Sequence, residues 1–388
     1  MKNSLKVSLV LLFATVFFLQ ERGTTQSYLA TGRLVGHVYC SDTNGRPARL
    51  AKVWLRPAPD KTVKPGEPGS FRDLYSNSNV LHDTVTTDMN GTFVVPMLPP
   101  GSYYVFVDYP GYQNPALQFT NDDLYHLTPK LMEDMDQKIP RVTINTGLTT
   151  NIVIQLQRGA VINGTLRYDD GSPAISATVH VLQRQQDGSW RSSFGDIVRA
   201  TTDDLGKYRI SGMGPGKYIV KYTMRFVIHE EQYAFPEGQT PTPINMGAER
   251  TFDIYSGGAF RQKDAEIIEL KSGAMNNADT VIPLSKLHPL TGRVAAFSDG
   301  HLLNDGSAEL LYADDGTKVA DAPVLRDGMF RFALVPEGQY VLRVWGSDAL
   351  YDGFSSRTVQ EYEPSTQSVS LSKDTDDVVV QLKAKNGQ

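Results

Sequence analysis

Asp88-Met89-Asn90-Gly91-Thr92-Phe93, followed by Pro100-Gly101-Ser102-Tyr103, is the stretch on which the fold turns. It returns as Asp203-Asp204-Leu205-Gly206-Lys207-Tyr208 with Pro215-Gly216-Lys217-Tyr218. A looser third copy reads Arg326-Asp327-Gly328-Met329-Phe330 with Glu337-Gly338-Gln339-Tyr340. In each copy the second glycine stands ten residues after the first. Asp, Asn and Gly make a tight turn, because glycine accepts positive φ and Asp or Asn bonds its own nearby backbone. A strand with period-2 alternation follows, as in Phe330-Arg331-Phe332-Ala333-Leu334. The Pro-Gly or Glu-Gly pair turns the chain back. The returning strands are Tyr103-Tyr104-Val105-Phe106-Val107, Tyr218-Ile219-Val220-Lys221-Tyr222 and Tyr340-Val341-Leu342-Arg343-Val344, rich in aromatic and β-branched residues.

Working outward, each copy opens on a strand carrying a glycine, Gly36-His37-Val38, Gly164-Thr165-Leu166 and Gly292-Arg293-Val294, at intervals of 128 residues. A second strand follows, Ala51-Lys52-Val53-Trp54-Leu55, Ala177-Thr178-Val179-His180-Val181 or Ala308-Glu309-Leu310-Leu311. A closing strand ends each copy: Asn151 to Leu156, Asp279 to Leu284 and Asp377 to Leu382. Short strands between turns, without helical crossovers, predict an all-β chain of three tandem antiparallel β-sandwich domains at 28–157, 158–286 and 287–388, with almost no linker between them. One inserted helix is expected, started by Thr128-Pro129, stopped by Pro140 and apolar on the side of Leu131, Met132 and Met135. Trp54 and Trp345 are expected in the core.

These motifs resemble the carboxypeptidase regulatory-like domain, also called the transthyretin-like or prealbumin-like sandwich. Gly36, Val38, Ala51, Val53, Asp88, Gly91, Phe93, Gly101 and Tyr103 carry the likeness in the first copy. The third departs from it, with Arg326 for the aspartate and Glu337 for the proline. The resemblance implies a seven-stranded Greek-key sandwich, related in shape to starch-binding modules and to repeats of bacterial surface proteins. In carboxypeptidases such a domain accompanies a separate zinc enzyme, which has no counterpart here.

Composition narrows the function. With 40% apolar and 21% charged residues the chain has the means to build packed cores. A net charge of -5 without a basic block argues against nucleic acid as a partner. Lys2 and Lys6 before the uncharged run from Val7 to Leu19 read as a signal peptide over residues 1–27, with Thr25 and Ser27 near a cleavage site and an uncleaved anchor as the alternative. No later run approaches the roughly 18 apolar residues of a spanning helix, so an extracytoplasmic location is expected. Cys40, the only cysteine, leaves no intrachain disulfide and reads as a small buried side chain.

No catalytic constellation emerges. The seven histidines are scattered, and His229-Glu230-Glu231 continues as Gln232-Tyr233 rather than as a zinc motif. No catalytic residue, metal site or cofactor is assigned. The pairs Asp169-Asp170, Asp203-Asp204 and Asp314-Asp315 suit turns better than Ca²⁺, and Lys52 suits solvent better than an isopeptide crosslink. The expected function is non-catalytic binding of carbohydrate or of a cell-surface protein, through rings outside the repeated strands: Tyr109, Tyr112, Trp190, Tyr233, Phe235 and Tyr255. The alternatives are a structural or adhesive rod and an accessory subunit of a separate secreted peptidase.

Overall fold

The computed structural model describes residues 31–58, 84–115, 119, 128–185, 187–192, 199–234, 242–352 and 355–385, with the backbone alone at 43, 227–234, 242–249, 352 and 355. The signal-peptide reading of residues 1–27 lies outside these residues. The fold is all-β, and its sheets form three face-to-face pairs in succession along the chain.

In the first pair, one sheet joins Gly32–Cys40, Arg46–Pro47, Thr92–Leu98 and Thr149–Leu156, and the other joins Lys52–Pro57, Val85–Thr86, Gly101–Asp108 and Arg141–Ile144. Leu34, Val38, Cys40, Val53, Leu55, Phe93, Val105 and Ile154 meet between them, so Cys40 is indeed a buried small side chain. In the second pair Lys207–Met213, Ala160–Tyr168, Met275–Asn277 and Thr280–Ile282 face a sheet built on Thr178–Arg184, Gly216–Ala234 and Thr242–Tyr255. In the third, Met329–Pro336, Leu287–Ala296 and Thr375–Leu382 face Lys318–Pro323, Asp305–Tyr312, Gly338–Asp352, Ser355–Glu361 and Ser365–Leu371. Each of these pairs also encloses its own apolar cluster.

Antiparallel pairing dominates, as the hairpin turns require. In each pair of sheets the turns do not reveal that the closing strand runs parallel to the opening one, and in the second pair Met275–Asn277 runs parallel to it as well. Arg33 to Cys40 pairs in unbroken register with Thr149 to Leu156, Leu166 to Tyr168 with Thr280 to Ile282, and Gly292 to Ala296 with Val378 to Leu382. A parallel pair needs a long return path, and here most of the repeat supplies it.

The repeated glycines have two separate tasks. Gly91, Gly206 and Gly328 hold φ at 75°, 74° and 76° in the hairpin turn, where the side chain of Asp88 or Asp203 accepts from two backbone N–H groups. In the third copy Leu325, not Arg326, stands where the first two carry the aspartate, one residue earlier than expected. Leu325 closes the turn through its backbone, accepting from the Gly328 N–H, and Asp327 takes over the capping by accepting from Met329. Gly36, Gly164 and Gly292 instead lie directly across from Phe93, Tyr208 and Phe330. Those rings occupy the space a Cβ would fill. Tyr103, Tyr218 and Tyr340 complete the pattern, each hydroxyl donating to the carbonyl four residues upstream, on Pro99, Gly214 and Pro336.

The expected helix spans Pro129–Lys138, with Thr128 Oγ1 accepting from the Leu131 N–H and Met132 and Met135 buried. It covers the outer face of the first pair's second sheet, where Tyr104, Phe106 and Ile139 form a cluster flanked by Trp54. Tyr104 donates to Asp136 at 2.8 Å. That cover is why Tyr103 to Val107 is buried on both faces. Trp54 stacks on Phe106 beneath the helix. Trp345 corrects the expectation of a core position: it points outward beside Arg343, 37% exposed, because Tyr340, Leu342 and Val344 own the inward positions of its strand.

Candidate binding cleft

Trp190 opens the strand Trp190–Ser192, after a turn in which Asp187 accepts from the Ser189 N–H and hydroxyl. The Arg184 guanidinium lies 5.6 Å above its ring. Tyr255 ends the strand Thr242–Tyr255, where backbone bonds to Ala259 in both directions fix the turn behind it. That strand forms a long hairpin arm with Gly216–Ala234, paired continuously from Lys221–Tyr255 to Ala234–Thr242. Trp190 and Tyr255, far apart in sequence, line one cavity of about 740 Å³ between the second and third sheet pairs.

Other rings gather there. Phe226, Phe252 and Phe260 come from the second pair and Tyr312 from the third, with Phe252 and Phe260 tilted at 57° and 6.1 Å apart. Sequence reasoning missed these four. Phe226 and Phe252 lie on the hairpin arm and Phe260 just beyond it, but none differs in type from core rings, and Tyr312 matters only because another unit docks beside it. Burial pushes the Tyr255 and Tyr312 hydroxyls above their ordinary range. Both therefore remain neutral donors at physiological pH.

Phe260, Arg261, Tyr312 and Pro336 separate this cavity from a second one of about 450 Å³, and an ionic cluster forms around Arg261. Arg261 lies 3.9 Å over the Tyr312 ring and reaches Asp314 at 2.9 Å as well as Asp315. Lys263 contacts the same two carboxylates at 2.7 and 3.0 Å. These bonds hold Asp314 and Asp315 below the usual carboxylate range: the Lys263 contact leads at Asp314, and at Asp315 the Thr317 backbone leads. The pair expected only to shape a turn therefore also clamps two units together. Asp170 and Asp203 cap turns as expected, and Asp169 accepts from Ser285 across the strand end.

Tyr109 and Tyr112 are not in this cleft. They stack at 5.3 Å at the seam between the first and second pairs, where Tyr112 donates to Asp42 and lies 5.1 Å beneath Arg158. Tyr112 is almost fully buried, so its ring packs into the seam, while Tyr109 beside it is half-buried. Tyr233 lies on the hairpin arm opposite Pro243; its side chain, the side chain of His229 and all of Phe235 fall outside the described residues. Lys52 is exposed. Among the described residues no three His, Cys, Asp or Glu side chains converge as metal ligands, and no helix is long and apolar enough to cross a membrane.

No protein-family model matches the chain. Colossin-A of Dictyostelium discoideum is 25% identical over 308 residues, 78% of this chain and 2% of that protein. The chain thus spans about 2% of the length of the curated relative it matches. Among solved structures, a streptococcal ancillary pilin shares 13% identity over 91% of this chain and 99% of its own, with a TM-score of 0.31. The minor pilin GBS52 of Streptococcus agalactiae shares 11% over 59% and 98%, with a TM-score of 0.30. Likenesses this slight carry no weight for function, which is read from the cleft.

Proposed function

We propose that the chain is an exported, non-catalytic binding protein of three sandwich domains, 28–157, 158–286 and 287–388, and that its ligand is carbohydrate held between the second and third. The observation that carries this is the convergence of Trp190 and Tyr255 on one ring-lined cavity of about 740 Å³, a size suited to a small ligand. Aromatic faces match the C–H faces of pyranoses, while neutral tyrosine hydroxyls and nearby charged groups orient sugar hydroxyls. A glycan-array screen of the full chain tests it, with Trp190→Ala and Tyr255→Ala as controls. Saturable binding that is weakened in both variants supports the proposal. Binding unchanged in both moves the site elsewhere, and no binding at high micromolar protein removes the carbohydrate reading.

A second reading, a structural or adhesive rod, is favoured by the joints. Arg158, Tyr112 and Asp42 hold the first seam, and Arg261, Lys263, Asp314 and Asp315 the second. The two readings are compatible, since a rod whose joint carries a pocket presents that pocket at a fixed angle.

A further inference from the structure

We infer that the cleft selects acidic glycans, and that Arg331 receives the ligand's carboxylate or sulfate; this rests on the carbohydrate reading above and narrows it. Among the described residues the cavity is lined by five cationic side chains, Arg250, Arg261, Lys263, Lys318 and Arg331, against three carboxylates, Asp253, Asp315 and Asp321. Every one of those carboxylates already has a cation. Asp315 has Arg261 and Lys263, Asp321 has Lys318 at 3.0 Å, and Asp253 has Lys221 at 3.3 Å from outside the lining. With Asp314 also taking Arg261 and Lys263, the positive surplus among the described residues falls on Arg331, in a chain whose net charge is -5.

Arg331 concentrates that surplus. It stands on the strand Met329–Pro336 between the inward Phe330 and Phe332, faces out into the cavity, and is exposed. Among the described residues nothing bonds, pairs or stacks with its side chain. Its planar fork matches a carboxylate or sulfate through two parallel hydrogen bonds. The low-dielectric walls that the rings supply focus its field, which strengthens attraction for an anion and does nothing for a neutral hydroxyl. A pyranose stacked on Trp190 or Tyr255 and bearing an acidic group satisfies both halves of the lining; a neutral one satisfies only the rings.

The test is isothermal titration of the full chain with four polymers in matched pairs, oligogalacturonate against neutral galactan fragments and dextran sulfate against dextran, with polyglutamate as an anion that is not a sugar. The expected result is binding of at least one acidic glycan about tenfold or more tighter than its neutral counterpart, the scale of one charge-assisted hydrogen-bonded contact. Arg331→Gln abolishes that preference and leaves residual affinity for the neutral polymer, and Arg331→Lys retains part of it. Which acidic polymer gains identifies carboxylate or sulfate as the source. Equal affinity for acidic and neutral glycans overturns this inference while leaving the carbohydrate reading intact, and so does an unchanged preference in Arg331→Gln. Polyglutamate bound as tightly as oligogalacturonate also overturns it. Failure of all four glycans overturns this inference, and the glycan array decides separately whether the carbohydrate reading falls with it.

Discussion

At Gly36, Gly164 and Gly292 a single hydrogen atom stands where any other residue would place a carbon against the ring across the sheet. At Gly164 that carbon would lie 2.5 Å from the Ala278 carbonyl oxygen and 2.8 Å from the Tyr208 hydroxyl, which itself donates to that carbonyl at 2.8 Å. Gly164→Ala is therefore expected to destabilise the second unit by about 2–4 kcal/mol through overpacking and a broken buried hydrogen bond, seen as a lowered thermal transition by calorimetry. Tyr218→Phe is the milder counterpart. Tyr218 is buried, its hydroxyl pushed up to about 12 by burial, and losing its bond to Gly214 should cost about 1–2 kcal/mol in urea denaturation. These residues were legible in the sequence because their spacing repeats and each type has one physical use. Trp345 was legible too, since counting by twos from Tyr340 puts it outside; its aromatic type outweighed its position.

At the scale of elements, the hairpins and the helix were readable because turn residues and caps act within a few positions. The extension of the third unit's hairpin, Gly338–Asp352 with Ser355–Glu361, was not, and its base is pinned by a contact between distant residues. His301 bonds Asp299 through Nδ1 at 2.6 Å and Asp348 through Nε2 at 3.1 Å, and Tyr362 donates to the same Asp348 at 2.7 Å. Asp299 and then Asp348 raise the histidine above its ordinary value, against a smaller opposing effect of burial. A raised folded-state value means that the stabilisation is complete below the ordinary histidine range, about 6.5, and is lost as pH rises through the raised value. Amide exchange at Asp348 and Ala349, corrected for intrinsic rates, should therefore be better protected at pH 6 than at pH 8.5. His301→Asn should flatten the difference, and an unchanged pH dependence in that variant would remove His301 from the account.

For the whole molecule, what the sequence withheld is what lies between units. The cleft needs Trp190, Tyr255 and Tyr312 from separate elements, and no local pattern brings them together. The clamp at its side makes a prediction of its own. Asp314 and Asp315 are held below the carboxylate range and Lys263 above the lysine range, so the contact is fully formed at neutral pH. It weakens only in strong acid, as pH falls through the depressed values, or in strong base; salt screens it as well, since its carboxylates are exposed. Small-angle scattering should show a wider spread of inter-unit angles in the Asp314→Asn, Asp315→Asn double variant than in the parent at low salt, with the difference shrinking near 1 M salt; identical profiles would show that the backbone join alone sets the angle. The parallel pairing of first and last strands reaches further than geometry. Because Arg33–Cys40 and Thr149–Leu156 run the same way, tension applied through the two ends of that unit slides one strand along the other and loads all its cross-strand hydrogen bonds at once, instead of peeling them singly. In a force spectrometer its units should therefore yield in abrupt, separate steps.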